Sequence, residues 1–425
     1  MVLAPIDPGR ETELRELLAS MNDAPGQANP ENALVPFARF QSLHVARFLI
    51  VDDKTTGDVS IYGLVPPQYP LYLAFLGDID GEPNAFFAAV ARDAGHGLRK
   101  IFSCCKDFSA ETDLLWWMRT HNTRSAANYV NWRGRTVQQA REEAILHDAV
   151  QTYVATNAAV CGMPAREAHA AVRRHIAEEQ SAGRITLSPE PPTPVGWMFA
   201  NVAHLIGVPV VVLLASPVLV PVALLGLLRL RMLEKTDAEL CGRVDQAHTD
   251  ALAAIEDHDV SNQFTAMGSL KPGFVRRWSA AAVFFAIDYA ARHVFNRGGL
   301  ARVRTIHFAR WVFIDGGKRA MFMSNYDGSL EAYMEDFINK VGFGLNLAFN
   351  AGIGYPRTRW LAFDGCEDER KFKEYLRRHQ VPTQVWYKAY PGLTAVDLER
   401  NGRLRRGVDS PMLTDQAARE WAALL

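Results

Sequence analysis

At 425 residues the chain exceeds what one hydrophobic core usually organises, so two domains plus connecting matter is the expectation. Its 46 Lys+Arg against 47 Asp+Glu leave a formal net charge of −1, and so balanced a surface argues against a nucleic-acid partner. Five cysteines, Cys104, Cys105, Cys161, Cys241 and Cys366, form no spaced set, which excludes a disulfide framework or structural zinc site and reads as reduced cytoplasmic thiols.

Taken in chain order, residues 1–10 hold two prolines and no continuous apolar run, unlike a secretory signal. Residues 2–6 read as a strand, and residues 11–21 place Leu14, Leu17 and Leu18 on one helical face. Apolar, β-rich runs at 44–52 and 71–76 read as strands, 85–92 as a helix and 98–103 as a strand. That order, β-α-β-β-α-β, is the split ferredoxin-like unit. A further strand at 126–132 and a helix follow.

The same order returns. His44-Val45-Ala46-Arg47-Phe48 reappears as His307-Phe308-Ala309-Arg310-Trp311 at an offset of 263, and Asp78-Ile79-Asp80-Gly81 as Asn325-Tyr326-Asp327-Gly328 at 247. Tyr129 to Thr136 matches Tyr387 to Thr394 at 258, and the drop in offset places an insert of the first copy at 54–70. In the second copy, strands are expected at 264–270, 305–315, 319–324 and 345–349, helices at 274–295 and 330–340, and an added strand at 384–390. The expected fold class is α+β, two ferredoxin-like (βαββαβ) repeats packed as a pseudo-dimer. The expected domains are 1–140 and 262–410 for the repeats, 141–261 for a helical insertion, and 411–425 for a C-terminal helix.

Within the insertion, residues 202–228 carry no formal charge, with His204 and Ser216 the only polar side chains. About 20 apolar residues suffice for a bilayer span, so membrane lipid is the expected partner. Pro209, Pro217 and Pro221 leave a straight span and a re-entrant or in-plane hairpin both open. Arg229, Arg231 and Lys235 after the segment favour the cytoplasmic face. Homo-oligomerisation is left open.

The two H-x-A-R motifs are the main chemical candidates, because histidine titrates near neutral pH and arginine grips anions. In a regular strand His307 and Arg310 point to opposite faces, so one pocket receives both only if the strand is bulged. The plainer expectation is that His44 and His307 fill equivalent interior positions while Arg47 and Arg310 pair with carboxylates between the units. Asp80 and Asp327, each followed by glycine, are expected either to cap the helix that follows or to present a proton-exchanging carboxylate. Trp386, Tyr387 and Tyr390 could line an apolar pocket or an electron path. Lacking the 54–70 insert, the second copy is expected to hold the more open pocket.

These residues carry two resemblances. Asn262-Gln263-Phe264, Lys271-Pro272-Gly273, His307 to Trp311, Ser324 to Ser329 and Gln384 to Tyr387 resemble a group of bacterial membrane-associated proteins. Gly77-Asp78-Ile79-Asp80-Gly81 is similar to the G-x-x-D-G motif of dye-decolourising peroxidases, which with chlorite dismutases form a superfamily of duplicated ferredoxin-like proteins. That likeness implies haem and carries over only Asp80, as distal acid, with Asp327 its repeat mate. Together with the fold and the His/Arg/Asp set it motivates a first hypothesis, in which an axial histidine is drawn from His44, His307, His96 or His379. Under it His307, Arg310, Asp327 and Asp80 are catalytic, His44, Arg47 and His307 hold cofactor, and the function is a membrane-attached peroxidase or oxygenase-type oxidoreductase acting on a lipid-soluble or small aromatic substrate. The alternative is a non-catalytic membrane-associated protein that binds a lipid or a partner.

Overall fold

The computed structural model describes residues 1–240 and 244–425, so Cys241 lies outside the described residues. The fold is mixed α+β, 52% helical and 18% strand. Two four-stranded antiparallel sheets dominate it. The first runs Val2–Pro5, Tyr72–Ile79, Leu43–Val51, Val385–Lys388, and the second Ala127–Val130, Ile306–Ile314, Arg319–Asp327, Ser261–Ser269. Each sheet therefore takes three strands from one half of the chain and an edge strand from the other half.

The alternation of side chains explains how the sheets stack. Leu49, Val51, Ala74 and Leu76 on one face of the first sheet share a core with Met267, Val312, Ile314, Met321 and Met323 of the second. Opposite residues of the same strands, such as Phe48, Ile50, Leu73 and Phe75, pack instead against outer helices including Glu11–Ala19 and Pro83–Asp93. The second sheet is backed likewise by Leu330–Phe349 and Glu369–His379. The layers are helices, sheet, sheet, helices, and the central strands Leu43–Val51 and Arg319–Asp327 are buried along their whole length because both faces are covered.

Two expected strands are helices. Residues 98–103 belong to the helix Gly95–Phe102, whose buried Leu98, Ile101 and Phe102 recur at helical spacing. Residues 345–349 close the helix Leu330–Phe349, which bends at Val341 and continues rather than ending at 340. The fourth strand of each sheet is consequently the added one, Ala127–Val130 or Val385–Lys388, and it pairs in the sheet of the other half.

The helices Val137–Thr156 and Ala165–Ser181 share a third core with the chain's end, where Leu146, Val150, Val172 and Ile176 meet Leu404, Val408 and Trp421. The C-terminal helix is Asp415–Ala422. Among the described residues one helix, Val195–Lys235, is long and apolar enough to cross a membrane, and its apolar stretch is not buried in the protein. It is continuous through Pro209, Pro217 and Pro221, so no hairpin forms there. Of the described cysteines, Cys104, Cys105 and Cys366 are buried, Cys161 is exposed, and all are free.

Candidate functional site

Both H-x-A-R strands carry an irregularity at the histidine. Register shifts between Leu43 and Val45 and again between Ile306 and Phe308, so His44 and His307 each sit in a bulge. A bulge reverses the alternation locally. Both His44 and Arg47 thereby turn to the space between the sheets, where His44 lies 5.4 Å from the Phe308 ring and Arg47 bonds the opposite sheet.

The arginines cross reciprocally. Arg47 Nη2 donates to the Ser324 carbonyl at 2.9 Å, and Arg310 Nη2 reaches the Gly77 carbonyl at 3.5 Å. Ser324 and Gly77 are themselves 247 apart, the offset of their repeat block. Arg310 also pairs with Asp78, as expected. Among the described residues Arg47 meets no carboxylate; its Nη1 donates to the Phe264 carbonyl at 3.0 Å and to Thr265 Oγ1 at 3.1 Å. Burial lowers the Arg47 pKa from its ordinary value.

The aspartates do not cap the helices that directly follow them. Asp80 accepts from His44 Nε2 at 2.9 Å on one oxygen and from the Val137 N–H at 2.9 Å on the other. Asp327 does the same with His307 Nε2 at 2.6 Å and the Ala395 N–H at 2.6 Å. Val137 and Ala395 are first residues of the helices Val137–Thr156 and Ala395–Asp409, both begun by a capping box from Thr136 or Thr394. Each carboxylate thus joins the bulge of its own sheet to the helix that leaves an exchanged strand, with the helix dipole favouring the negative charge.

Beyond this shared plan the two sites differ. His44 Nδ1 lies 3.0 Å from the Tyr390 hydroxyl. With Nε2–H donating to Asp80, Nδ1 is left to accept that hydroxyl. At the second site Ser261 donates to Asp327 at 2.5 Å and receives Lys388 Nζ at 2.6 Å. Burial lowers the His307 pKa despite Asp327 beside it, and burial likewise lowers Lys388. Burial works to raise Asp327, yet His307, the Ser261 hydroxyl and the Ala395 N–H together hold it below the usual carboxylate range. A neutral His307 donating to an ionised Asp327 satisfies both directions.

A cleft of about 1270 Å³ opens between the sheets, lined by His44, Asp80, His307, Arg310 and Tyr390 among others. Phe75, Phe87, Phe308 and Val312 supply apolar wall. Arg124 and Arg133 also line it, and among the described residues neither has an ion-pair partner. Arg133 Nε is buried without an acceptor. Among the described residues Glu82, on the rim, is the lining carboxylate without an ion-pair partner, Asp78 being held by Arg310 and Asp80 by His44. Pro191, Pro194 and Trp197, at the start of the long apolar helix, form part of the same rim.

The cleft is shared by both copies and reaches the carboxylate of the first, not of the second, contrary to expectation. Asp80 keeps 22% side-chain exposure against 6% for Asp327, which does not line the cleft. The 54–70 insert covers a different region, with Tyr62 on Asp237 and Asp58 on Arg378. Of the aromatic candidates, Tyr390 reaches the cleft, while Tyr387 stacks on Phe37 and Trp386 lies under the Arg47 guanidinium. Sequence reasoning passed over Arg133, Ser261 and Lys388. Arg133-Gly134-Arg135 stands inside a repeat block, and two arginines flanking a glycine before a capping box were the available signal.

The arrangement does not fit haem. An axial histidine needs a free ring nitrogen facing the group, and both nitrogens of His44 are engaged. His307 spends Nε2 on Asp327 and Ser261, and its side chain is 4% exposed. His96 stands exposed on the helix Gly95–Phe102 and lines no part of the cleft. His379 borders a cavity of only about 20 Å³, room for one water.

Searches against protein-family models, curated proteins and solved structures found no match.

Proposed function

We propose that this is a non-catalytic, membrane-associated binding protein that takes an anionic amphiphile into the cleft between its sheets. The observation that carries the reading is the placement of unpaired Arg124 and Arg133 in a largely apolar cleft whose rim includes Trp197, the foot of the exposed apolar helix. An apolar cavity with a few convergent charged groups is the usual form of a small-molecule site. A carboxylate or phosphate head would meet Arg133, and its chain the Phe75, Phe87 and Phe308 wall. The His44–Asp80 and His307–Asp327 pairs hold the two sheets and their exchanged helices together around that space. In this reading the halves descend from one ferredoxin-like unit and form a pseudo-dimer, which the matched contacts of His44 and His307, Arg47 and Arg310, Asp80 and Asp327 support. The group of bacterial membrane-associated proteins that the chain resembles, and the cytoplasmic face of the membrane, accord with it.

The test is binding of a dansylated fatty acid to the full chain in detergent. Wild type should bind with fluorescence enhancement, and Arg133→Glu should weaken binding roughly tenfold or more, since a charge-assisted hydrogen bond contributes about 1.5–3 kcal/mol. Arg166→Glu, on a remote helix where Arg166 pairs with Asp415, should leave it unchanged. Equal affinity in wild type and Arg133→Glu refutes the assignment.

A further inference from the structure

The long apolar helix is fastened at both ends to one folded body. Near its start Asn201 Oδ1 accepts from Arg292 at 2.8 Å, His204 Nδ1 lies 2.8 Å from His293 Nε2, and the Leu205 carbonyl accepts from the Tyr289 hydroxyl at 2.8 Å. Three successive contacts dock it on the end of the helix Phe274–His293. At its far end buried Glu234 accepts from Thr358 Oγ1 at 2.8 Å and from the N–H groups of Trp360 and Leu361 at 2.9 and 2.7 Å. Asp237, just beyond, pairs with Lys271 at 2.8 Å and with Arg276 at the start of the docking helix.

Between these ends cover is local: Asn201, His204, Gly207 and Val208 at the start, Ala215 and Ser216 midway, and Gly226, Leu227 and Leu230 near the end are partly or fully covered, while residues 209–214 and 217–225 are exposed. The exposed stretches are apolar and bare: Leu213, Leu214 and Leu225 are 72%, 75% and 68% exposed. The docking helix repeats the pattern, with Phe274, Trp278 and Phe285 exposed while Arg276, Ala280 and Phe284 are buried.

A helix that crosses a bilayer carries one end about 30 Å of hydrocarbon away from the other. Here both ends are held by polar contacts to the same body, and those contacts would have to sit on opposite sides of the membrane. We propose that the Val195–Lys235 helix lies in the plane of one leaflet, without crossing, and that Phe274, Trp278 and Phe285 enter the same leaflet beside it. This inference rests on the membrane attachment proposed above. A helix apolar all round whose two ends are both docked on one body can bury its bare middle in lipid only by lying in the leaflet that the body touches. Arg229 and Lys235, exposed at its end, then meet anionic headgroups, and Trp197 and Trp360 fall at headgroup depth. The cleft rim at Pro191–Trp197 opens at that level, so an amphiphile passes from leaflet to cleft without entering water.

The test uses the full chain, with Cys161 and Cys241 both replaced by Ser, bound to vesicles of phosphatidylcholine and phosphatidylglycerol. Phe199→Cys and Leu228→Cys, labelled with NBD, should both be bleached completely by dithionite added outside, and lipids spin-labelled at a shallow acyl position should quench both. Protection of one and bleaching of the other would establish a span and overturn the in-plane inference while leaving membrane attachment intact. Failure of wild type to float with vesicles would sink attachment itself, and a dimer sedimenting in its place would assign the apolar surface to a second copy. Phe274→Ser combined with Trp278→Ser and Phe285→Ser should lower vesicle affinity roughly tenfold or more. Unchanged affinity in that variant removes the second helix from the surface.

Discussion

Arg47 of the first sheet donates to the backbone carbonyl of Ser324 in the second, and it does so fully buried and, among the described residues, without a carboxylate partner. Such a guanidinium works by saturating carbonyl groups that an apolar residue would leave bare. Arg47→Met should therefore destabilise the protein by about 1–3 kcal/mol through unsatisfied acceptors at Phe264, Thr265 and Ser324. Urea denaturation of the variant against wild type measures this; a loss within the scatter of exposed-site controls would remove Arg47 from the sheet contact.

Asp327 and Asp80 hold equivalent partners in unequal surroundings. Asp327→Ala strips His307, Ser261 and the Ala395 N–H at a buried site, and a loss of about 3–5 kcal/mol is expected. Asp80→Ala should cost less, about 1–3 kcal/mol, because partial exposure lets water replace the carboxylate. The comparison is made by thermal melts of both variants, and an equal or reversed order contradicts the burial argument.

Acid should weaken the fold in two stages. His307 has a folded pKa below its ordinary 6.5, so the unfolded chain takes up the proton first and stability falls as pH drops from 6.5 towards the folded value. Asp327 has a folded pKa below its ordinary 3.8, so its contribution is present above 3.8 and lost as pH falls through the folded value. Lys388, Ser261 and Tyr390 face this pair. In His307→Gln the upper stage should shrink in a plot of urea midpoint against pH, with buried His379, whose pKa burial also lowers, supplying the rest, while the lower stage persists; an unaltered upper stage assigns it to another group.

Hemin added to the purified chain should give no Soret shift, since His44 and His307 both have Nε2 committed to a carboxylate. A stoichiometric band that disappears in His44→Ala would reverse this and return the protein to the peroxidase-like reading.

Most strands and their order were legible because each is a short apolar run bounded by turns. The helix Gly95–Phe102 was misread from eight residues, too few for periodicity to outweigh an apolar appearance, although Leu98, Ile101 and Phe102 already had helical spacing. The bulges at His44 and His307 left no local mark, since register is decided by the partner strand. What Asp80 would bind was equally hidden: its second partner, Val137, lies 57 residues on, and only the fold brings it near. The capping boxes at Thr136 and Thr394 were readable, and they mark where those carboxylates are received.

The exchange of edge strands bears on how the chain is made. The first sheet has three of its strands by residue 79 but lacks its neighbour to Leu43–Val51 until Val385–Lys388 has left the ribosome. At about 5–20 residues per second, that interval leaves a long, apolar strand edge open for tens of seconds. The apolar helix emerges within the same interval, well before the edge is closed. Early capture of the nascent chain by lipid would keep the unfinished sheet close to a surface and apart from other unfinished copies.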